Sequence, residues 1–339
     1  MKTNRREFLK TAGVAGAALA TGTLKNDDAK AATAGPSLKL SGAMPKGMAL
    51  LTMRTGEQYT LGIKTDKGIL DVAAAAKHYK SNAPTTTDAL FAGGDQGLSA
   101  LRDKALAGNG KGLFVEESKI EYGPCVTNPQ KILCVGLNYA KHARETNNPI
   151  PKLPILFNKF NTALNSHNGT VRVSAIPATN FDYEAELVIV MGRRASNVSD
   201  AEAPSYVFGY ATGNDFTARD LQSRSSQWMI GKACDGFAPV GPYLVTADLV
   251  GDPGQLKIEC RVNGEVRQSS NTNDLVFNCA QIISYASKLM TLEPGDIIYT
   301  GTPEGVISGY PKEKQVWLKP GDKLTTTFGN LGTLRFTLA

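Results

Sequence analysis

Three carboxylates in two nearby segments have the types and spacing for divalent-metal chemistry. Asp182-Tyr183-Glu184-Ala185-Glu186 leads into Leu187-Val188-Ile189-Val190-Met191-Gly192, an apolar, β-branched run that predicts a strand. Side chains alternate faces along a strand, so Glu184 and Glu186 point the same way, on the face that continues as Val188 and Val190. Two like charges on a buried face are costly through repulsion and lost hydration. A hard divalent cation removes both costs and prefers oxygen ligands. The competing reading is a solvated strand end with two surface glutamates. Asp215 follows a second predicted strand, Tyr206 to Asn214. As a third ligand it completes a one-sided triad, leaving about three positions of an octahedral ion for water and substrate. Alternatively, standing before Thr217-Ala218-Arg219-Asp220, it caps a helix.

Other residues could handle protons and anions. His142 and Glu145 lie three apart on a predicted helix, Tyr139 to Glu145, and share a face. A carboxylate beside an imidazole raises its basicity and fixes its orientation, which suits activation of a water; a solvated surface pair is the plainer alternative. Lys232 sits among Gly, Pro and aromatic residues in Trp228–Pro242, a shaped loop able to desolvate an ammonium near developing negative charge. Lys159 follows an apolar strand, facing either an anionic substrate or solvent. Gly301-Thr302-Pro303 ends the strand Ile297–Thr300 and offers amides and a hydroxyl to a carboxylate, or is only a turn. His78, near a helix end, is read as structural, complementing the helix dipole.

These groups need a scaffold. The 339 residues suit about two domains. Residues 1–31 carry half of the formal charge of +6 and read as a twin-arginine signal peptide. Arg5-Arg6 precedes a small-residue run from Thr11 to Thr23, too short to span a bilayer. This predicts periplasmic localisation through the twin-arginine export machinery, and no stable membrane span. Residues 32–47 read as a linker and 48–128 as a small N-terminal α/β domain, with strands Ala49–Met53 and Tyr59–Ile63 and helices Ile69–His78 and Gly97–Ala107. Residues 129–339 read as a larger, strand-dominated domain. There, Asn263-Gly264 is the strongest hairpin signal, and two Pro-Gly-Asp turns, at Asp296 and Asp322, launch strands. The class is α+β, β-rich, without nucleotide-fold alternation or phosphate-loop glycines. No basic cluster with interleaved aromatics points to nucleic acid. Five spaced cysteines without a Cys-x-x-Cys pair speak against zinc and read as buried thiols.

Taken together and in order, Asn138-Tyr139…His142…Glu145, Glu184-x-Glu186, Asn214–Gln222, Gly231-Lys232…Asp235–Pro242 and Gly301-Thr302-Pro303 resemble the fumarylacetoacetate hydrolase family over roughly residues 130–339. Many members also carry an accessory domain like 48–128. The resemblance implies a mixed β-sandwich roll, a homodimer, and Mg²⁺ or Mn²⁺ held by Glu184, Glu186 and Asp215 and chelated by a 2-oxo acid substrate. It also implies a base dyad of His142 and Glu145 on a lid helix, oxyanion or enolate support from Lys232, and substrate contacts from Lys159, Arg219, Gln222, Gly301 and Thr302. Phe160 stands where proline is usual, and Cys234 departs from the commoner residue after the lysine. The reaction expected first is hydrolysis of a carbon–carbon bond in an acylpyruvate-like 2,4-dioxo acid. Oxaloacetate decarboxylation and 2-hydroxyhepta-2,4-diene-1,7-dioate isomerisation are the enzymatic alternatives, and a non-catalytic periplasmic 2-oxo acid binding module is the alternative of another class.

Overall fold

The computed structural model describes residues 43–108, 110 and 112–339. The expected signal peptide, and the linker as far as residue 42, lie outside the described residues. In chain order the strands are β1 (Ala49–Thr55), β2 (Gln58–Thr65), β3 (Gly68–Asp71), β4 (Phe114–Val115), β5 (Ile132–Gly136), β6 (Ile155–Lys159) and β7 (Leu164–Asn165). There follow β8 (Gly169–Val171), β9 (Phe181–Asp182), β10 (Ala185–Met191), β11 (Val207–Asn214), β12 (Thr217–Ala218) and β13 (Ala238–Pro239). The last are β14 (Leu244–Thr246), β15 (Lys257–Val262), β16 (Glu265–Asn271), β17 (Ile297–Tyr299), β18 (Lys323–Phe328) and β19 (Thr333–Leu338).

Ten of these form one mixed sheet in the order β4-β3-β2-β1-β14-β11-β10-β17-β5-β6, and five form a second, β16-β15-β18-β19-β8. Pairing is mostly antiparallel, with parallel contacts at β17/β5 and β19/β8. The strand-rich α+β class expected from sequence is the observed one. The sheet runs through both halves of the chain, because β1 pairs with β14 at Ala49↔Val245 and Leu50↔Leu244.

β10 lies at the centre and is buried along its whole length. Its alternation divides it between two cores: Leu187, Ile189 and Met191 pack in one, Val188 and Val190 in the other. Burying each such side chain contributes about 1.5–3 kcal/mol, so a charge at Ile189 would disrupt the core it shares with Leu187 and Met191. The Asn-Gly signal forms the β15/β16 hairpin, with Asn263 and Gly264 both at positive φ (52° and 87°). The helix Cys279–Leu289 begins at a capping box between Asn278 and Gln281. One expectation is corrected: Ile69 and Leu70 belong to β3, and the helix runs from Val72 to Tyr79. Backbone pairing with Ile63 and Lys64 claims them, and Asp71 accepts from Ala74 N–H and caps the helix after them. All five cysteines are free, four of them buried and Cys234 half-buried. Among the described residues no helix is long and apolar enough to cross a membrane.

Candidate metal centre and active site

Glu184 sits just ahead of β10, Glu186 within it, and Asp215 just beyond β11. The antiparallel register places Ala185 against Asn214 and Glu186 against Gly213, which brings the acids of both strands to one end of the sheet. The three carboxylates are buried, and one oxygen from each lies within 4.8 Å of the others. Gly213, opposite Glu186, leaves room for core side chains beside the triad, since a Cβ there would stand 2.5 Å from Val188 and 2.7 Å from Tyr299.

Cations surround the triad. Lys232 Nζ donates to Glu184 Oε2 at 2.6 Å and Asp215 Oδ2 at 2.8 Å. Arg219 reaches Glu184 Oε1 at 2.7 Å and donates through Nε to Asp182 Oδ2 at 2.8 Å. Lys159 Nζ lies 2.6 Å from Asp215 Oδ1. Glu186 accepts one hydrogen bond among the described residues, from Gly301 N–H at 2.7 Å. The electrostatics separate the two glutamates. Burial alone would push Glu184 up, but the Lys232 and Arg219 charges outweigh it and hold the carboxyl at about 2. Burial, Asp215 and Glu184 together push Glu186 well above the carboxylate range. Lys232 is pulled down by burial, yet Asp215 and Glu184 raise it on balance.

A cavity of about 1140 Å³ opens on this cluster, lined in part by His142, Glu145, Arg219, Gln222, Lys232 and Thr302. His142 is buried in the helix Ala140–Glu145, and its Nδ1 and Glu145 Oε1 share a hydrogen bond of 2.8 Å. That bond leaves Nε2 as the nitrogen available for proton transfer. Glu145 Oε2 accepts from Gly305 N–H at 2.8 Å, so the acid is fixed at both oxygens. Gln222 accepts from Arg219 at 3.1 Å, and Thr302 accepts from Gln268 at 2.9 Å.

Two of the residues singled out in the sequence stand behind the cavity wall. Lys159 has a fully buried side chain held by backbone carbonyls, and Gly301 turns its N–H toward Glu186. A buried acid outside the sequence motifs, Asp182, anchors Arg219 and accepts from the N–H groups of Ile307 and Ser308 at 2.9 and 3.0 Å. Its signal was legible: Asp182, Glu184 and Glu186 repeat with the period of a strand. Gly305, whose N–H holds Glu145, had no comparable signal.

Residues 131–339 match the family model described as fumarylacetoacetate (FAA) hydrolase C-terminal. The chain belongs to this family. Residues 2–22 match the twin-arginine translocation pathway signal sequence. Over 278 residues, 81% of this chain and 85% of the relative, it is 40% identical to oxaloacetate tautomerase FAHD2A, mitochondrial, of Bos taurus. Fumarylacetoacetate hydrolase from Exiguobacterium antarcticum superimposes with a TM-score of 0.68 at 28% identity, over 86% of this chain and 99% of that one. Fumarylpyruvate hydrolase from Pseudomonas aeruginosa, solved with Mn²⁺ and pyruvate, gives 0.56 at 34% identity over 65% of this chain and 91% of its own. These family relatives are enzymes, among them hydrolases and tautomerases.

Proposed function

We propose that the protein is a divalent-metal-dependent enzyme acting on 2-oxo acids, with hydrolysis of a carbon–carbon bond in an acylpyruvate-like 2,4-dioxo acid as its reaction. The observation that carries this reading is the convergence of Glu184, Glu186 and Asp215 on one point, beside a His142–Glu145 dyad that opens on the same cavity. The residues fit a bound cation. Asp215 Oδ1 is buried and accepts no hydrogen bond among the described residues, its cationic neighbour being the Lys159 ammonium at 2.6 Å, and Glu186 is an acid that burial and two neighbouring carboxylates leave in need of positive charge. Mg²⁺ or Mn²⁺ there, held by these three residues, would supply a Lewis acid for the carboxylate and keto oxygens of a 2-oxo acid and for the enolate it becomes.

The protein's own groups supply the rest. His142 takes a proton from water, oriented by Glu145, and the resulting hydroxide adds to the distal carbonyl. Lys232 donates toward the oxyanion so formed. The carbon–carbon bond then breaks, its electron pair remaining on the 2-oxo acid fragment as an enolate, which is reprotonated at carbon to give the keto acid. Four carboxylates (Asp182, Glu184, Glu186, Asp215) meet three cations (Lys159, Arg219, Lys232) here. A divalent ion there, with Glu186 ionised as one of its ligands, would leave the cluster with a net positive charge, which favours an anionic substrate.

Keto–enol interconversion of oxaloacetate is the second reading, supported by the likeness to an oxaloacetate tautomerase over most of both chains. In it the dyad moves a carbon-bound proton and no water is consumed. A panel of acylpyruvates, oxaloacetate and unsaturated dioates, assayed with Mg²⁺ and Mn²⁺, tests both. Pyruvate release from an acylpyruvate supports hydrolysis, keto–enol interconversion of oxaloacetate without CO₂ release supports the tautomerase, CO₂ release from oxaloacetate supports decarboxylation, and tight binding without turnover leaves a binding module. The twin-arginine signal supports a periplasmic location, checked by fractionation. The family resemblance supports a homodimer, checked by light scattering, with residues 48–128 as the accessory segment.

A further inference from the structure

We propose that Lys159 is a positioning residue that fixes Asp215 as a metal ligand and ties it to the loop carrying Lys232; this rests on the metal reading above. Lys159 ends β6, and its ammonium is enclosed by four acceptors from three stretches of chain. The carbonyl oxygens of Phe216 (3.1 Å), Phe237 (2.8 Å) and Lys232 accept its hydrogen bonds. An ammonium has three protons, and the three carbonyls take them. Asp215 Oδ1 is the fourth neighbour, 2.6 Å away, and it receives no hydrogen bond. The charge of Lys159 therefore holds Asp215 in place while a lone pair on Oδ1 stays free for a cation.

The same ammonium joins both sides of the site. Phe216 follows Asp215 directly, and the Lys232 and Phe237 carbonyls frame the loop whose lysine donates to Asp215 Oδ2. The ammonium thus fastens one metal ligand and the oxyanion-supporting group to each other from behind the cavity wall. Arginine cannot replace it, because a planar fork does not present three protons to carbonyls converging on one point.

The test is Mn²⁺ affinity, read by calorimetry or by the Mn²⁺ electron paramagnetic resonance signal, for wild type and Lys159→Met. Outer partners of metal ligands typically carry about 10–100-fold in metal affinity. Lys159→Met and Lys159→Arg should both weaken Mn²⁺ binding by that factor in folded protein. A folded Lys159→Met with a lowered Tm but wild-type Mn²⁺ affinity overturns the proposal, since that is what a purely structural lysine would give. Should neither variant fold, ¹⁵N-lysine spectra of the wild type decide, with the Lys232→Arg protein identifying the Lys159 ammonium. Its resonance should shift as Mg²⁺ saturates the site, and an unmoved resonance overturns the proposal. Wild-type protein that binds neither ion removes the metal reading first, and this inference with it.

Discussion

Two polar clusters divide the molecule, one buried and one half-exposed, and they are built from the same residue types with opposite results. One is the acid–cation cluster around Glu184. The other lies where residues of the first 130 positions meet the rest: Lys64, Glu117 and Tyr122 on one side, His167, Tyr243 and Arg335 on the other. In that seam the Glu117 carboxylate is fully used. Oε1 accepts from Tyr122 (2.9 Å) and Tyr243, and Oε2 is 3.3 Å from Lys64. Lys64 also donates to the Tyr243 hydroxyl at 2.6 Å, and His167 accepts the Arg335 N–H at 3.2 Å while its ring meets Tyr122 edge-on. At the metal centre, by contrast, Glu186 accepts one hydrogen bond among the described residues, and Asp215 Oδ1 accepts none, meeting only the Lys159 charge at 2.6 Å. Charge that closes on itself, even half-exposed, holds segments of the fold together. Buried charge that leaves an acceptor open toward a cavity is arranged for a ligand.

Removing a ligand should separate the clusters most sharply. Glu184→Ala is expected to abolish Mn²⁺ binding and to cut turnover about 10³-fold or more, since a Lewis acid contributes several kcal/mol; activity that survives both this change and chelation would dissolve the contrast. Glu145→Gln is expected to slow hydrolysis about 10²–10⁴-fold while Mn²⁺ affinity stays near wild type. Equal losses of both would place Glu145 among the structural groups. Gly309→Ala comes next. A Cβ there would stand 2.5 Å from Glu145 Cδ, so the acid must leave His142 or Gly305, and a loss of about tenfold or more in kcat is expected, as for a misplaced proton-transfer group. An unchanged kcat would show that Glu145 tolerates displacement.

Much of this was legible in the sequence where the signal is local. The period-two acids ahead of Leu187–Met191 mark a buried strand with charge at its end, and the His142/Glu145 spacing marks a shared helix face that the 2.8 Å bond bears out. Asn263-Gly264 specifies its hairpin. What was not legible depends on chain segments meeting across long separations. Lys159 gives no sign of whether it reaches solvent or three carbonyls, because two of its acceptors lie more than 70 positions away. The N–H groups of Gly301 and Gly305 hold two carboxylates, yet a backbone donor leaves no mark on residue type. Ile69 and Leu70 fit a helical or an extended reading, and only pairing with β2 decides between them.

The seam offers the smallest effect, and its sign follows from linkage. Burial first, and the nearby Arg335 charge second, lower the His167 pKa from 6.5 to about 4. Between those values the unfolded chain binds a proton at this position that the folded protein refuses, so stability rises with pH across that window and is lost as pH falls through it. The full loss is at most about 3 kcal/mol, because each tenfold change in proton affinity between folded and unfolded chains is worth about 1.4 kcal/mol. Glu184, held at about 2 against an ordinary 4.5, gives up its contribution only below about pH 4.5. Glu186, shifted upward, acts with the opposite sign in both proteins and cancels in a comparison. Urea denaturation of wild type and His167→Gln from pH 7 to 4.5 should therefore show a steeper decline in the wild type, because the glutamine keeps an acceptor for Arg335 N–H and cannot be protonated. Parallel curves would mean that His167 titrates alike in the folded and unfolded chains, and the seam would then be no drier than the surface.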